Sequence, residues 1–206
     1  MVQDIILEKF NQWTAELPAE KARIAVFEHI RDIPYYIVPQ VADPGEWAAS
    51  MLNANKGSCS PKHYLLGMLF NRMGLEVQYT SYVFRWDKQP INYPSELAEL
   101  ARYSPTGYHS ACKAKIDAQW VLLDATWDSA LSKAGFAVNL NWDGKSQTKN
   151  AVAPLEEIIH DSLQARLDFV SQKRSLYTPQ EKEVYGKFIE KFNAWLESLR
   201  NGERPI

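Results

Sequence analysis

The sequence predicts an α+β fold in which helices at both ends of the chain flank a small antiparallel sheet. Two observations predict it. Apolar residues recur at helical spacing in the first third and again from about residue 155, while β-forming residues concentrate between residues 75 and 126. Helical and strand segments are therefore segregated rather than alternating, which disfavours a parallel sheet with crossover helices.

In chain order, Ile5, Ile6, Phe10 and Trp13 keep helical spacing and Pro18 opens a second helix. Ile24, Phe27, Ile30 and Ile33 then continue an apolar stripe as far as Pro34. Pro39 and Pro44 interrupt the chain before a short helix over 45–53, which ends in an Asn-Ala-Asn-Lys-Gly turn. The next helix starts at Cys59 and runs to Arg72 or Met73, with Gly74 as its cap. Residues 75–84 alternate as a strand, 96–103 form a short helix, and 108–116 and 120–126 form two strands joined around Asp117-Ala118-Gln119, a hairpin signal. Residues 129–154 read as loop, with a turn at Asn141-Trp142-Asp143-Gly144, and 155–199 read as helix.

With 206 residues the chain is long enough for one sizeable core, so a single domain is expected over 1–206, its core at about 20–130 and a helical extension at about 155–200. A net charge of −2 and the lack of any Lys/Arg block leave no electrostatic footprint for nucleic acid or a membrane surface, and neither partner is expected. No apolar run approaches the ~18 residues needed to span a bilayer. The opening Met-Val-Gln-Asp-Ile-Ile-Leu-Glu-Lys carries charges where a signal peptide has its apolar core, so a cytoplasmic protein is expected. Two cysteines, Cys59 and Cys112, are too few for a disulfide scaffold.

Cys59 is the residue that points to chemistry. It stands in Lys56-Gly57-Ser58-Cys59-Ser60-Pro61-Lys62, directly ahead of the apolar run from His63 to Phe70. At a helix start, free N–H groups and the positive end of the dipole favour thiolate over thiol, the form that attacks electrophiles. Cys112, inside a predicted strand, reads as a small buried hydrophobe.

A nucleophilic thiol needs a base, and the base needs a group that holds its tautomer. Of the four histidines, His29 and His160 read as helix residues. His63, one turn into the Cys59 helix, ranks second because a base rooted in the same helix has difficulty facing both thiol and substrate. His109 opens the first hairpin strand. If the hairpin closes with a two- or four-residue loop, residue 111 lies opposite residue 124, and His109 and Asp124 become diagonal neighbours on one face. A three-residue loop would put them on opposite faces. The run Val121-Leu122-Leu123-Asp124-Ala125-Thr126 also places a carboxylate in an apolar strand, where burial is costly unless a cation pairs with it.

Gly57-Ser58-Cys59-Ser60 at a helix start, His109 at a strand start and Trp120-Val121-Leu122-Leu123-Asp124-Ala125-Thr126 together resemble the transglutaminase-like superfamily of papain-like thiol enzymes. The similarity covers about residues 20–130. It implies a papain-like core with the nucleophile helix packed on the sheet, Cys59 as nucleophile, His109 as general base and acid, and Asp124 as the residue orienting His109. The family often has Trp two residues after its His, where this chain has Ala111.

The reaction implied is acyl transfer or hydrolysis at an amide through a Cys59 thioester, on a protein, peptide or small amide substrate, without a cofactor or metal. The Cys59 backbone N–H is the default oxyanion donor, and Trp47 and Tyr36 are candidates for a second. Trp86 and Tyr108 belong to an aromatic set (with Tyr79, Tyr82, Phe84, Tyr93 and Tyr103) that either packs the strands or lines a substrate groove. The Pro-bearing stretch from Arg85 to Gly107 is positioned to cover that groove. Two alternatives stand beside the enzyme. One is a non-catalytic binding module on the same fold. The other is a zinc site from Cys59, His63, His109 and Cys112, against which His109 and Cys112 are an odd number of strand positions apart.

Overall fold

The computed structural model describes residues 2–202. It is α+β, with seven α-helices and a four-stranded, wholly antiparallel sheet in the order β3-β2-β1-β4 among the described residues. Helices α1 (Val2–Thr14), α2 (Ala19–Arg31) and α3 (Pro44–Ala54) precede α4 (Cys59–Arg72), which leads into β1 (Val77–Phe84). A single 3₁₀ turn (Trp86–Lys88) and α5 (Ser95–Tyr103) separate β1 from the hairpin β2 (Gly107–Ile116) and β3 (Gln119–Leu123). A second 3₁₀ stretch (Ser129–Ala134) lies within a long irregular segment, followed by β4 (Glu156–His160), α6 (Leu163–Ser175) and α7 (Pro179–Arg200).

Gly74 ends α4 as expected, and α3 is capped at its start by a residue that the sequence reading did not single out. Asp43 caps α3 by accepting from the Glu46 N–H at 2.7 Å, and α4 stops at Arg72 with Gly74 in the left-handed region at φ 82°. The hairpin closes with the two-residue loop Asp117-Ala118, both at positive φ (49° and 64°), as the twist of antiparallel strands demands. Ile116 pairs with Gln119 and Cys112 with Leu123, so the next position places residue 111 opposite 124.

Two expectations need correction. The stretch from 155 is not one helical region. Its first residues form β4, whose Glu156 to His160 pair antiparallel with Val83 to Tyr79 of β1, and α6 and α7 are separate helices. Five residues are too few for periodicity to separate strand from helix, and the open edge of β1 decided the matter. The third predicted strand also ends early, at Leu123 rather than 126, because Asp124 to Thr126 leave the ladder to make other hydrogen bonds.

One apolar cluster lies between α4 and the sheet: Tyr64, Leu65, Leu66, Leu69 and Phe70 meet Tyr79, Cys112, Ala114, Val121 and Leu123. Gly67 lets the helix sit close, since a Cβ there would come within 2.5 Å of the Tyr79 hydroxyl. Polar contacts fix the same helix at its other side. Lys62 has no solvent exposure, and its ammonium donates to the carbonyls of Arg31, Ile33 and Thr126 at 2.8, 2.9 and 2.8 Å. Burial pushes its pKa down to about 7, against which Asp128, Asp32 and Asp124 act. Lys62 thus ties the end of α2 and the segment after β3 to the first turns of α4. Replacing it by the near-isosteric methionine leaves three buried carbonyls without a donor, and Lys62→Met is expected to lose about 2 kcal/mol or more of stability in urea unfolding.

Candidate active site

Cys59 is the first residue of α4. Ser58 precedes it without a side-chain cap, and Pro61 has no N–H, so the first turn presents the backbone N–H groups of Cys59 and Ser60 rather than satisfying them internally. A parallel bridge between Tyr35 and Gly57 lays the 34–36 segment alongside: Tyr36 N–H donates to Gly57 at 3.0 Å and Gly57 N–H to Pro34 at 3.1 Å. The thiol is half-buried and free.

Asp124 has a fully buried carboxylate, and its burial is compensated bond by bond. Oδ2 accepts from His109 Nε2 at 2.8 Å and from the Ala151 N–H at 2.7 Å, while Oδ1 accepts from the Thr126 N–H at 3.1 Å. Burial alone would raise its pKa, but the charge and hydrogen bond of His109, with smaller help from His63 and Thr126, hold it well below the usual carboxylate range. The backbone of Asp124 is also held, by Thr148 Oγ1 at its N–H and Asn139 Nδ2 at its carbonyl, both at 2.8 Å. With Nε2 engaged by Asp124, Nδ1 is the ring nitrogen of His109 left for the Cys59 thiol, and the two side chains line the same cavity and act on each other electrostatically.

The electrostatics follow from this array. Burial raises the Cys59 pKa. The hydrogen bond and charge of His109 oppose it, joined by the Ser110 N–H and the Arg166 guanidinium, and the net result is a fall to about 7. For His109, burial lowers the pKa, but the Asp124 carboxylate and then the Cys59 thiolate outweigh it and raise the value to about 9. Between those values the thiolate–imidazolium pair is the favoured state. Cys112 differs: it has no exposure, packs against the Leu123 carbonyl, and burial drives its thiol upward.

His63 is not turned toward the thiol sulfur. Its Nδ1–H donates to the Cys59 carbonyl at 2.8 Å and its Nε2 accepts from the Ala125 N–H at 2.9 Å, which assigns the neutral Nδ1–H tautomer. Burial lowers its pKa to about 3. It clamps the nucleophile turn to the residue after Asp124, a role that spacing alone did not reveal. His29 stacks on Trp13, and His160, in β4 rather than a helix, bonds Ser81 Oγ at 2.9 Å.

Cys59 and His109 line a cavity of about 240 Å3 walled by Tyr35, Trp47, Trp86, Tyr108, Trp127 and Tyr185, among others. Trp47, 4% exposed, has its indole Nε1 buried without a hydrogen-bond partner. Tyr36 does not line the cavity; its ring lies under the Lys56 ammonium, 4.3 Å from the centroid. Its neighbour Tyr35 does, beside Cys59, and burial together with Cys59 pushes the Tyr35 phenol well up. In Ile33-Pro34-Tyr35-Tyr36 nothing local distinguishes the two tyrosines. Trp86 and Tyr108 line the cavity as the aromatic reading anticipated, whereas Tyr79 packs on α4, Tyr93 on Phe188 and Phe192, and Tyr103 is exposed. The cover is also different from the one expected. From the stretch 85–107 only Trp86 and Gly107 reach the cavity, and the remaining wall comes from residues 37–40, Arg174, Tyr185 and Ile189.

Among the described residues no group of three His, Cys, Asp or Glu side chains converges on a metal-sized site, and no helix is long and apolar enough to cross a membrane. No family model matches the chain, and no curated protein does. Among solved structures it is similar to a protein of Cytophaga hutchinsonii described provisionally as a cysteine protease, at 16% identity and a TM-score of 0.42. The alignment covers 75% of this chain and 42% of that one, so this chain spans less than half of that protein's length. At this distance the likeness decides neither activity nor substrate.

Iodoacetamide is expected to label Cys59 and leave Cys112 untouched in the native protein, the rate rising with pH through a midpoint near 7; in His109→Gln the midpoint moves up. Equal labelling of both thiols contradicts the geometry. Because His63 takes up a proton near 6.5 when unfolded and only near 3 when folded, the unfolded state binds more protons between those values, and stability falls as pH drops through that window. His63→Gln should flatten the fall between roughly pH 6.5 and 4 in urea titrations, His29 and His160 retaining their smaller share.

Proposed function

We propose that this protein is a thiol-dependent enzyme of the transglutaminase-like kind that transfers or hydrolyses an acyl group through a Cys59 thioester. The observation that carries the reading is a thiol at the uncapped start of a helix, open to a cavity that it shares with the His109 imidazole, which Asp124 holds through Nε2. The thiolate attacks the carbonyl carbon of an amide, and the charge that develops on oxygen is met by the Cys59 N–H and the unpartnered Trp47 Nε1. The C–N bond breaks as His109 Nδ1–H delivers its proton to the leaving nitrogen. Water or an amine then gives its proton to His109 Nδ1 and attacks the thioester, which releases the thiolate. Asp124 keeps Nδ1 directed at the sulfur throughout and stabilises the imidazolium.

Dansyl-amine incorporation, ammonia release and peptide cleavage, measured together, identify the acceptor. Cys59→Ala is expected to abolish whichever activity is present, and His109→Ala to lower it roughly a hundredfold or more. Trp47→Phe, which removes the indole N–H and keeps the ring, should lower kcat about a hundredfold with little change in KM. Full turnover by Cys59→Ala refutes the mechanism.

A further inference from the structure

Arg174 stands in the last turn of α6, where a cation suits the negative end of the helix dipole. The dipole accounts for the charge but not for the direction of the side chain, which lines the cavity that holds Cys59 and His109. Its Nε is buried without a hydrogen-bond partner, and Nη1 makes a long contact of 3.4 Å to Gln40 Oε1. Arg23 also buries its Nε without a partner, but it does not line this cavity, and several other arginines are better provided for. Arg31 pairs with Asp32, Arg85 with Asp87 and Arg200 with Asp128, while the buried Arg166 bonds Ser60 Oγ, the Tyr64 hydroxyl and the carbonyls of Thr80 and Tyr108. The strongest electrostatic influences on Arg174 come from Tyr185, Tyr177, Cys59 and Tyr64, none of them a carboxylate. A guanidinium with no carboxylate partner, and with a buried N–H left over, lines a mostly aromatic and aliphatic cavity next to the thiol, in which Gln40, Ser58, Ser60 and Thr126 are the uncharged polar residues.

A buried donor without an acceptor is costly, and the planar fork of arginine matches a carboxylate in two-point fashion. We propose that Arg174 anchors a carboxylate of the substrate, so that the enzyme acts on small acidic amides or on peptides presenting a carboxylate close to the reacting bond. This inference rests on Cys59 being the nucleophile of the proposed reaction. The cavity, at about 240 Å3, lies just below the usual volume of a small-molecule pocket, which favours a short acyl group over a long peptide groove. Its aromatic walls supply apolar contact, and the single unpaired cation supplies polarity of one sign.

The test measures how fast Cys59 reacts with anionic iodoacetate and with neutral iodoacetamide, a ratio that needs no turnover. Arg174→Gln is expected to lower the iodoacetate-to-iodoacetamide ratio roughly tenfold, the scale of a charge-assisted hydrogen bond, and Arg174→Lys to restore part of it. Because Cys59 and Arg174 act on each other, the pH midpoint of iodoacetamide labelling should rise a little in Arg174→Gln, a rise that cancels in the ratio because both reagents meet the same thiolate. An unchanged ratio in Arg174→Gln overturns the proposal, and where the midpoint alone moves Arg174 is only a support for the thiolate. A measurement on the unsubstituted protein covers a variant that fails to fold: N-benzoylglycine should slow iodoacetamide labelling of Cys59 more than its neutral amide does. Equal protection by acid and amide overturns the proposal. Should the protein turn over no amide while the ratio still depends on Arg174, the thiol-enzyme reading fails and the anion site stands. Turnover with a ratio indifferent to Arg174 has the opposite meaning.

Discussion

The burial of the Asp124 carboxylate is the constraint around which the rest of the structure is arranged. A carboxylate with no access to water survives as an anion only when every lone pair is met, and here the partners come from distant parts of the chain. His109 arrives from β2, the Ala151 N–H from the segment before β4, and the Thr126 N–H from the residues that have just left the β3 ladder. His63 adds a fixed link from the next residue, Ala125, back to the Cys59 carbonyl. The position of the imidazole relative to the thiol is therefore set by the satisfaction of one buried charge. This also explains why β3 is shorter than its apolar run: the backbone beyond Leu123 is needed for bonds that a ladder would have consumed.

The C-terminal helices are part of the site rather than an appendage to it. Asn193 of α7 holds both the N–H and the carbonyl of Ile37, at 2.8 and 3.0 Å. Arg200, at the end of the same helix, grips Asp128 through two bonds and the Tyr35 carbonyl at 2.9 Å, while Asp128 in turn accepts the Tyr35 N–H. These contacts pin the segment that carries Tyr35 beside Cys59. Phe188 and Phe192 back the same wall by packing on Trp86. The resemblance noted in the sequence stops near residue 130, yet the cavity is closed by residues of α6 and α7. The cavity is thus lined mostly by residues within the stretch that the shared pattern covers, with Val152, Arg174, Tyr185 and Ile189 added from beyond it.

Much of the thiol–imidazole–carboxylate array was legible because each of its parts has a local signature. A Gly-Ser ahead of Cys59 and an apolar run behind it mark a helix start, and an acid inside an apolar strand demands a cation. The spacing of 15 residues between His109 and Asp124 converts into a shared face once the turn has two residues. Trp47 was legible as one of two candidates for a second oxyanion donor; that its indole N–H is left unpaired became visible when the neighbours were in place. Tyr35, Arg174 and the second function of His63 had no such signature. Tyr35 and Tyr36 are chemically identical neighbours, and Arg174 sits in Gln-Lys-Arg-Ser, which reads as a solvated helix end.

By itself, then, the sequence determined the fold class and the helix that begins at Cys59 and located the hairpin turn, because periodicity, capping and turn residues act within a few positions of the chain, while its register followed once the loop proved to have two residues. Only the tertiary structure decided that β4 would complete the sheet, that Tyr35 and not Tyr36 would face the thiol, and that Arg174 would turn into the cavity without an acid to meet it. Those outcomes depend on which backbone edge remains unpaired and which side chains are left without partners after packing, and no local pattern encodes either.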